Sequence, residues 1–230
     1  EGKEIAVEAI SVTSQRASLI PMDRDGRPLR DAIMWQDKRS LPVCEALERE
    51  MGLSALHRKT GLRLNPFFVL NKIIWLRDHE PDIYMAADKF IGVQDYVTYQ
   101  LTGQYVTDWT QASRTMLMNI ETFSWDRELL EMAGITTDHL CELVAPGSIA
   151  GRLRADVAAF TGMPAGIPVI LSGGDQQNAA LALGVIKPGQ AEANTGTGSF
   201  VIGYADRPVF DADCRVLCQA SAIAGNWVAE

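Results

Sequence analysis

The stretch that most limits how this chain can fold lies near its three-quarter point. Ile167-Pro168-Val169-Ile170-Leu171 is an unbroken apolar run of strand length, followed by Ser172-Gly173-Gly174-Asp175. Gln176 to Leu183 is then rich in Ala and Leu and stops at Gly184. An unbroken apolar run suits a buried strand, and a strand feeding a helix through glycines belongs to α/β architectures. We read Ser172–Asp175 as the turn between them. Ligands of such sheets collect beyond the carboxyl ends of the strands. The glycines allow close approach to the backbone, and a carboxylate at the helix N-terminus is favoured by the helix dipole. Asp175 is therefore a candidate for chemistry, with the amide of Gln176 beside it to recognise hydroxyls. The same acid also reads as a helix cap that only satisfies free N–H groups. Spacing leaves both readings open.

The remaining pattern extends the α/β reading. Ile5–Thr13, Ser18–Met22 and Ala32–Trp35 predict strands, with Asp23–Gly26 as a hairpin turn. Helical spacing predicts helices over Leu41–Met51, opened by Ser40 before Pro42, and over Val69–His79, Gln94–Leu101, Trp125–Ala133 and Ala155–Phe160. Lys89–Val93 is a further strand; Gln190–Asn194, Ser199–Tyr204, Arg215–Ala220 and Asn226–Ala229 are four more. Strands bracket a helical middle, which argues for a mixed sheet carrying a helical insertion.

Composition excludes several classes of function. The 230 residues are 47% hydrophobic and 22% charged, as in globular domains, and the formal net charge of -8 argues against a nucleic-acid-binding face. No apolar run reaches the ~18–20 residues needed to cross a bilayer, so no membrane partner is expected. The opening Glu-Gly-Lys-Glu lacks the basic and apolar segments of a signal peptide. Cys44, Cys141, Cys214 and Cys218 lack the paired spacing of a zinc site, so no metal-ligating set is expected. They read as free thiols in a reducing compartment, the cytoplasm. His57, His79 and His139 read as surface or capping residues.

Two other clusters attract attention. Thr195-Gly196-Thr197-Gly198-Ser199, between two strands, offers backbone and hydroxyl donors to an anion, or is a plain hairpin turn. It is not a Walker loop, since no Gly-Lys-Ser/Thr is present. Gln15 and Arg16 follow the first strand, and Trp35 follows the third. Planar donors beside an aromatic face are a common way to hold sugars and polyols; a surface Arg in a salt bridge and a core Trp are the plainer alternative.

Together these residues resemble the FGGY family of carbohydrate kinases, which includes glycerol kinase and xylulokinase. The resemblance rests on Val12-Thr13-Ser14-Gln15-Arg16, Ala32-Ile33-Met34-Trp35-Gln36, Pro66-Phe67-Phe68 with Lys72 and Trp75, Thr107 to Leu117, Gly174-Asp175-Gln176-Gln177 and Thr195-Gly196-Thr197-Gly198. It implies an actin-like, ribonuclease-H-like α/β fold and ATP-dependent phosphorylation of a sugar or polyol hydroxyl. Asp175 then matches the catalytic base, and Gln15, Arg16, Trp35, Phe67 and Gln176 match substrate contacts. Thr195, Gly196 and Thr197 match a phosphate-binding turn, with Mg²⁺ bridging the nucleotide phosphates.

The departures are informative. Where glycerol kinase has a Glu after the Arg, this chain has Ala17; where it has a Tyr after the Pro, this chain has Phe67. Losing an acid and a phenol points away from glycerol and toward a larger polyol or ketose. The xylulokinase pattern at Arg16 is absent too. Family members are much longer, with two actin-like domains. The resemblance therefore implies a piece: residues 1–186 as a sugar-binding domain lacking its first hairpin, and 187–230 as the opening of the nucleotide-binding domain. Such a piece alone is expected to be inactive, and an unpaired strand edge invites a homo-oligomer. A catalytically dead sugar-binding relative and another actin-fold ATPase are the alternatives.

Overall fold

Pro168–Gly174 is the central strand of a three-stranded sheet, as its apolar run requires: Val169 and Leu171 are fully buried. In the computed structural model, which describes residues 6–195 and 198–230, the chain begins with β1 (Ile10–Ser14) and β2 (Ile20–Met22). Four helices follow: α1 (Leu41–Met51), α2 (Leu53–Thr60), α3 (Val69–His79) and α4 (Pro81–Ala86). Next come β3 (Lys89–Ile91), α5 (Val93–Thr102), β4 (Val106–Asp108), α6 (Trp109–Ala112), β5 (Met118–Asn119), β6 (Ser124–Trp125) and α7 (Arg127–Ala133). After a 3₁₀ turn at Thr137–His139 come β7 (Glu142–Val144), β8 (Ile149–Arg152), α8 (Ala155–Thr161), β9 (Pro168–Gly174) and α9 (Asp175–Ala182). β10 (Ala191–Thr195), β11 (Ser199–Ala205), β12 (Cys218–Ala220) and β13 (Trp227–Ala229) complete the described elements.

The first sheet has the order β1-β9-β8, with β1 parallel and β8 antiparallel to β9. The mixed sheet expected from the sequence is therefore present, and the helices between β2 and β8 form the insertion. A second sheet of order β10-β11-β13-β12 is antiparallel throughout. The main core lies under the helical insertion. Leu19, Ile33, Leu56, Leu62, Leu70, Ile73, Leu76, Met116 and Leu117 are wholly buried there, each stabilising the fold by about 1.5–3 kcal/mol relative to exposure.

Several boundaries differ from the sequence reading, each for a physical reason. Ser172-Gly173-Gly174 is not a turn: β9 continues through Gly174, because Thr13 and Ser14 of β1 pair with Gly173 and Gly174. The helix then opens at Asp175 with Gly174 as its cap residue. Ala32–Trp35 is not a strand; only Ile33 pairs, through two backbone bonds with Leu19. Ser40 precedes α1 but does not cap it, because its hydroxyl donates to the Pro66 carbonyl. His57 is not a surface residue. It is buried, with Nδ1 3.3 Å from the Leu62 carbonyl and its ring edge-on to Phe210. His79 stacks on Trp75, and His139 caps its own 3₁₀ turn through the Thr136 N–H. All four cysteines are free and buried, and burial pushes the Cys44 and Cys218 thiols up to about 11. No helix among the described residues is long and apolar enough to cross a membrane.

Candidate functional site

β1 and β9 run parallel, so both of their carboxyl ends reach the same edge of the sheet. The segment after β1 carries Gln15 and Arg16; the first turn of α9, directly after β9, carries Asp175 and Gln176. Trp35 comes from the loop beyond Ile33, and Phe67 stands just ahead of α3. These six residues, taken from the sequence as candidates, line one cleft of about 350 Å³. Trp35 and Phe67 meet edge to face, ring centroids 5.6 Å apart, and form its aromatic wall.

Asp175 is the open group of the site. Its side chain is 47% exposed, and Oδ1 lies 3.4 Å from Arg16 Nε. Oδ1 also accepts the Gln176 backbone N–H at 2.9 Å. Among the described residues, Oδ2 has no hydrogen-bond partner. One oxygen is thus used to orient the carboxylate, and the other is unengaged among the described residues.

Arg16 is buried, and its guanidinium ties separate parts of the chain together. Nη1 donates to Gln177 Oε1 at 3.1 Å, to Gln219 Oε1 at 2.7 Å and to Glu230 Oε2 at 3.2 Å. Arg114 reaches the other oxygen of Glu230, Nη1 to Oε1 at 3.2 Å, with its guanidinium over the Phe68 ring. Burial, with the like charge of Arg16 beside it, pulls Arg114 down to about 10. Burial raises the Glu230 carboxyl, but the two guanidiniums and the Gln219 amide outweigh it and hold it below the ordinary value. Two cations thus share one buried carboxylate, with Asp175 as the more exposed second anion.

The wall before Trp35 is held by a lysine. Lys72 is wholly buried on α3, and Nζ donates to the carbonyls of Ala17 at 2.6 Å and Met34 at 2.9 Å. Ala17 has φ 66°, a left-handed conformation that side chains with a Cβ disfavour. One ammonium therefore pins both segments that present cleft residues. Burial lowers Lys72 to about 7, with Asp37 opposing and Arg39 reinforcing the shift.

The sequence reading missed Arg114, Asn194, Gly198 and Phe200 as cleft residues. Arg114 was visible only inside the Thr107–Leu117 stretch and Gly198 only as part of a candidate anion-binding turn; Asn194 and Phe200 needed the second sheet to fold back over the first. Asn194 Nδ2 donates to Gln176 Oε1 and to Glu192 Oε1, each at 2.9 Å. Thr195 is exposed at the end of β10 and does not line the cleft, while Gly196 and Thr197 lie outside the described residues. No group of three or more His, Cys, Asp or Glu suited to a metal stands together among the described residues. The cleft offers a cation one open carboxylate, Asp175. That suits Mg²⁺, which keeps several waters and is held largely by substrate phosphates.

Comparison with known proteins places the chain in a family. The model of the FGGY family of carbohydrate kinases, N-terminal domain, matches residues 3–182. The gluconokinase of Bacillus licheniformis is 33% identical over 219 residues, 95% of this chain and 42% of the relative. The glycerol kinase of Thermococcus kodakarensis is 37% identical over 211 residues, 90% of this chain and 41% of the relative. Among solved structures, gluconate kinase from Lactobacillus acidophilus superposes with a TM-score of 0.93 at 26% identity, over 99% of this chain and 46% of that one. The chain thus spans less than half the length of these relatives, and its mixed sheet with inserted helices is the actin-like fold they share. With the motif residues gathered at one sheet edge and the family model matching most of its length, this chain belongs to the FGGY family of carbohydrate kinases.

Proposed function

We propose that the chain supplies the sugar-binding portion of a longer ATP-dependent kinase that phosphorylates a hydroxyl of a sugar or polyol larger than glycerol. The observation that carries this reading is the exposed Asp175 carboxylate, its Oδ2 without a partner among the described residues, in a cleft lined by Trp35, Phe67 and Arg16. A hydroxyl held there donates its proton to Asp175 as the phosphoryl group arrives, which is general-base catalysis in an in-line transfer. Gln15 supports the sugar assignment as a planar amide that lines the same cleft. Mg²⁺, when bound with the nucleotide, neutralises phosphate charge.

The preference against glycerol follows from what lines the cleft. Ala17 and Phe67 present a methyl and a phenyl where an acid and a phenol would grip a small triol, and Phe200 adds a third apolar surface. The volume is room for about a dozen water molecules. We read residues 187–230, including the second sheet, as the opening of the nucleotide-binding domain, with Thr195, Gly196 and Thr197 as its phosphate contacts.

The test is a panel of aldoses, ketoses, aldonates and polyols given to the full-length kinase, following ADP release. Asp175→Asn is expected to lower turnover by about 10²–10⁴-fold while sugar binding, measured by calorimetry, persists. Unchanged turnover in that variant rejects Asp175 as the base. Sugar binding without turnover in the wild type indicates a sugar-binding relative instead.

A further inference from the structure

The sugar-binding reading leaves a buried polar cluster behind Asp175 unexplained. Asp108, at the end of β4, is wholly buried. Its Oδ1 accepts the Thr110 backbone N–H at 2.8 Å and also the Thr110 hydroxyl, while Oδ2 accepts from Gln94 Nε2. The single hydroxyl proton of Thr110 is therefore committed to Asp108, and its oxygen lone pairs face away. Those lone pairs accept the Gly174 N–H at 2.8 Å. Gly174 is the residue immediately before Asp175.

The two glycines are gripped from both sides. Gly173 has φ 110°, and a Cβ there would lie 2.8 Å from Thr110 Oγ1. A Cβ on Gly174 would lie 2.5 Å from Arg16 Cδ. Thr110 thus holds one face of the backbone that launches Asp175, and Arg16 holds the other. Gln111, next in α6, reaches the Ser14 carbonyl at 3.3 Å and ties the end of β1 to the same helix.

We infer that Thr110, its hydroxyl oriented by Asp108, is a positioning residue that sets the direction of the Asp175 carboxylate. This rests on the reading of Asp175 as the catalytic base. Thr110 does not line the cleft, so its effect belongs in kcat and not in sugar affinity. A displacement of about 1 Å at a reacting group can cost on the order of a hundredfold in rate.

The experiment compares Thr110→Val, Thr110→Ser and Asp175→Asn, singly and combined, in the full-length kinase with its best sugar. Thr110→Val is expected to lower kcat about tenfold to a hundredfold, with the sugar dissociation constant within about twofold. Thr110→Ser restores the acceptor and is expected to recover most of the rate. In the Asp175→Asn background, Thr110→Val is expected to add no further loss. If Thr110→Val does not fold, Thr110→Ala carries the same comparison, because it too removes the oxygen that accepts the Gly174 N–H. An unchanged kcat, an equal loss in both backgrounds, or no rescue by serine overturns the inference and leaves the kinase reading standing. A wild-type enzyme that phosphorylates nothing on the panel overturns both.

Discussion

Lys72 shows how one side chain shapes the site without entering it. Its two donated bonds hold the carbonyls of Ala17 and Met34, and a neutral amine retains the two N–H groups those acceptors need. Lys72→Met keeps the length and leaves both carbonyls unsatisfied, so it is expected to cost about 3 kcal/mol in urea unfolding. The pH dependence is distinctive. The folded value is near 7 against an ordinary 10.5, so between these pH values the unfolded chain binds the extra proton. Stability contributed by this residue therefore rises with pH across that window and is flat on either side. The margin of wild type over Lys72→Met is expected to widen by on the order of 2 kcal/mol from pH 7 to 9. A margin that shrinks as the pH rises would place the charge elsewhere.

Among the secondary elements, the join between α2 and β12 links the helical insertion to the second sheet. Gly61 ends α2 in a left-handed conformation, φ 70°, and its carbonyl accepts the Cys218 N–H at 2.8 Å. A Cβ on Gly61 would stand 1.9 Å from the Cys218 carbonyl oxygen, so Gly61→Ala must move strand backbone as well as strain its own. Gly162 ends α8 with a similar φ of 74° but open space around it. Gly162→Ala is expected to cost about 1 kcal/mol and Gly61→Ala more than about 3 kcal/mol. Thermal unfolding of the two variants separates conformational strain from collision. Equal losses would mean that the strand yields without cost.

For the molecule as a whole, the cleft exists only where two sheets meet. β1 and β9 bring Arg16 and Asp175 to one edge; β10 and β11 bring Asn194 and Phe200 across from them. Glu230 and Gln219 then lock onto Arg16 from the second sheet and the residue that follows it. The 230-residue chain spans 42% of the gluconokinase it resembles, so we expect it to bind sugar without ATP-dependent turnover. Phosphorylation by this chain alone, seen as ADP release above a no-sugar control, would contradict that. Glycerol as the best substrate of the full-length kinase would contradict the reading of Ala17 and Phe67.

Much of this arrangement was legible in the sequence. Glycines after Thr102, Ala133 and Thr161 end their helices in left-handed turns, because chain termination is a local property. The Gly-Asp-Gln-Gln, Gln-Arg, Trp and Pro-Phe-Phe stretches named six residues of the cleft for the same reason: short motifs carry their own chemistry. Tertiary packing decided the rest. Arg16 meets Gln177 across 161 positions and Glu230 across 214, and no window of sequence spans such pairs. Ala32–Trp35 has strand-forming residues but pairs only at Ile33, and His57 reads as polar yet is enclosed beneath Phe210. Local propensity chooses among conformations within a few residues, whereas burial and pairing depend on which distant surface arrives, and that is set by the fold as a whole.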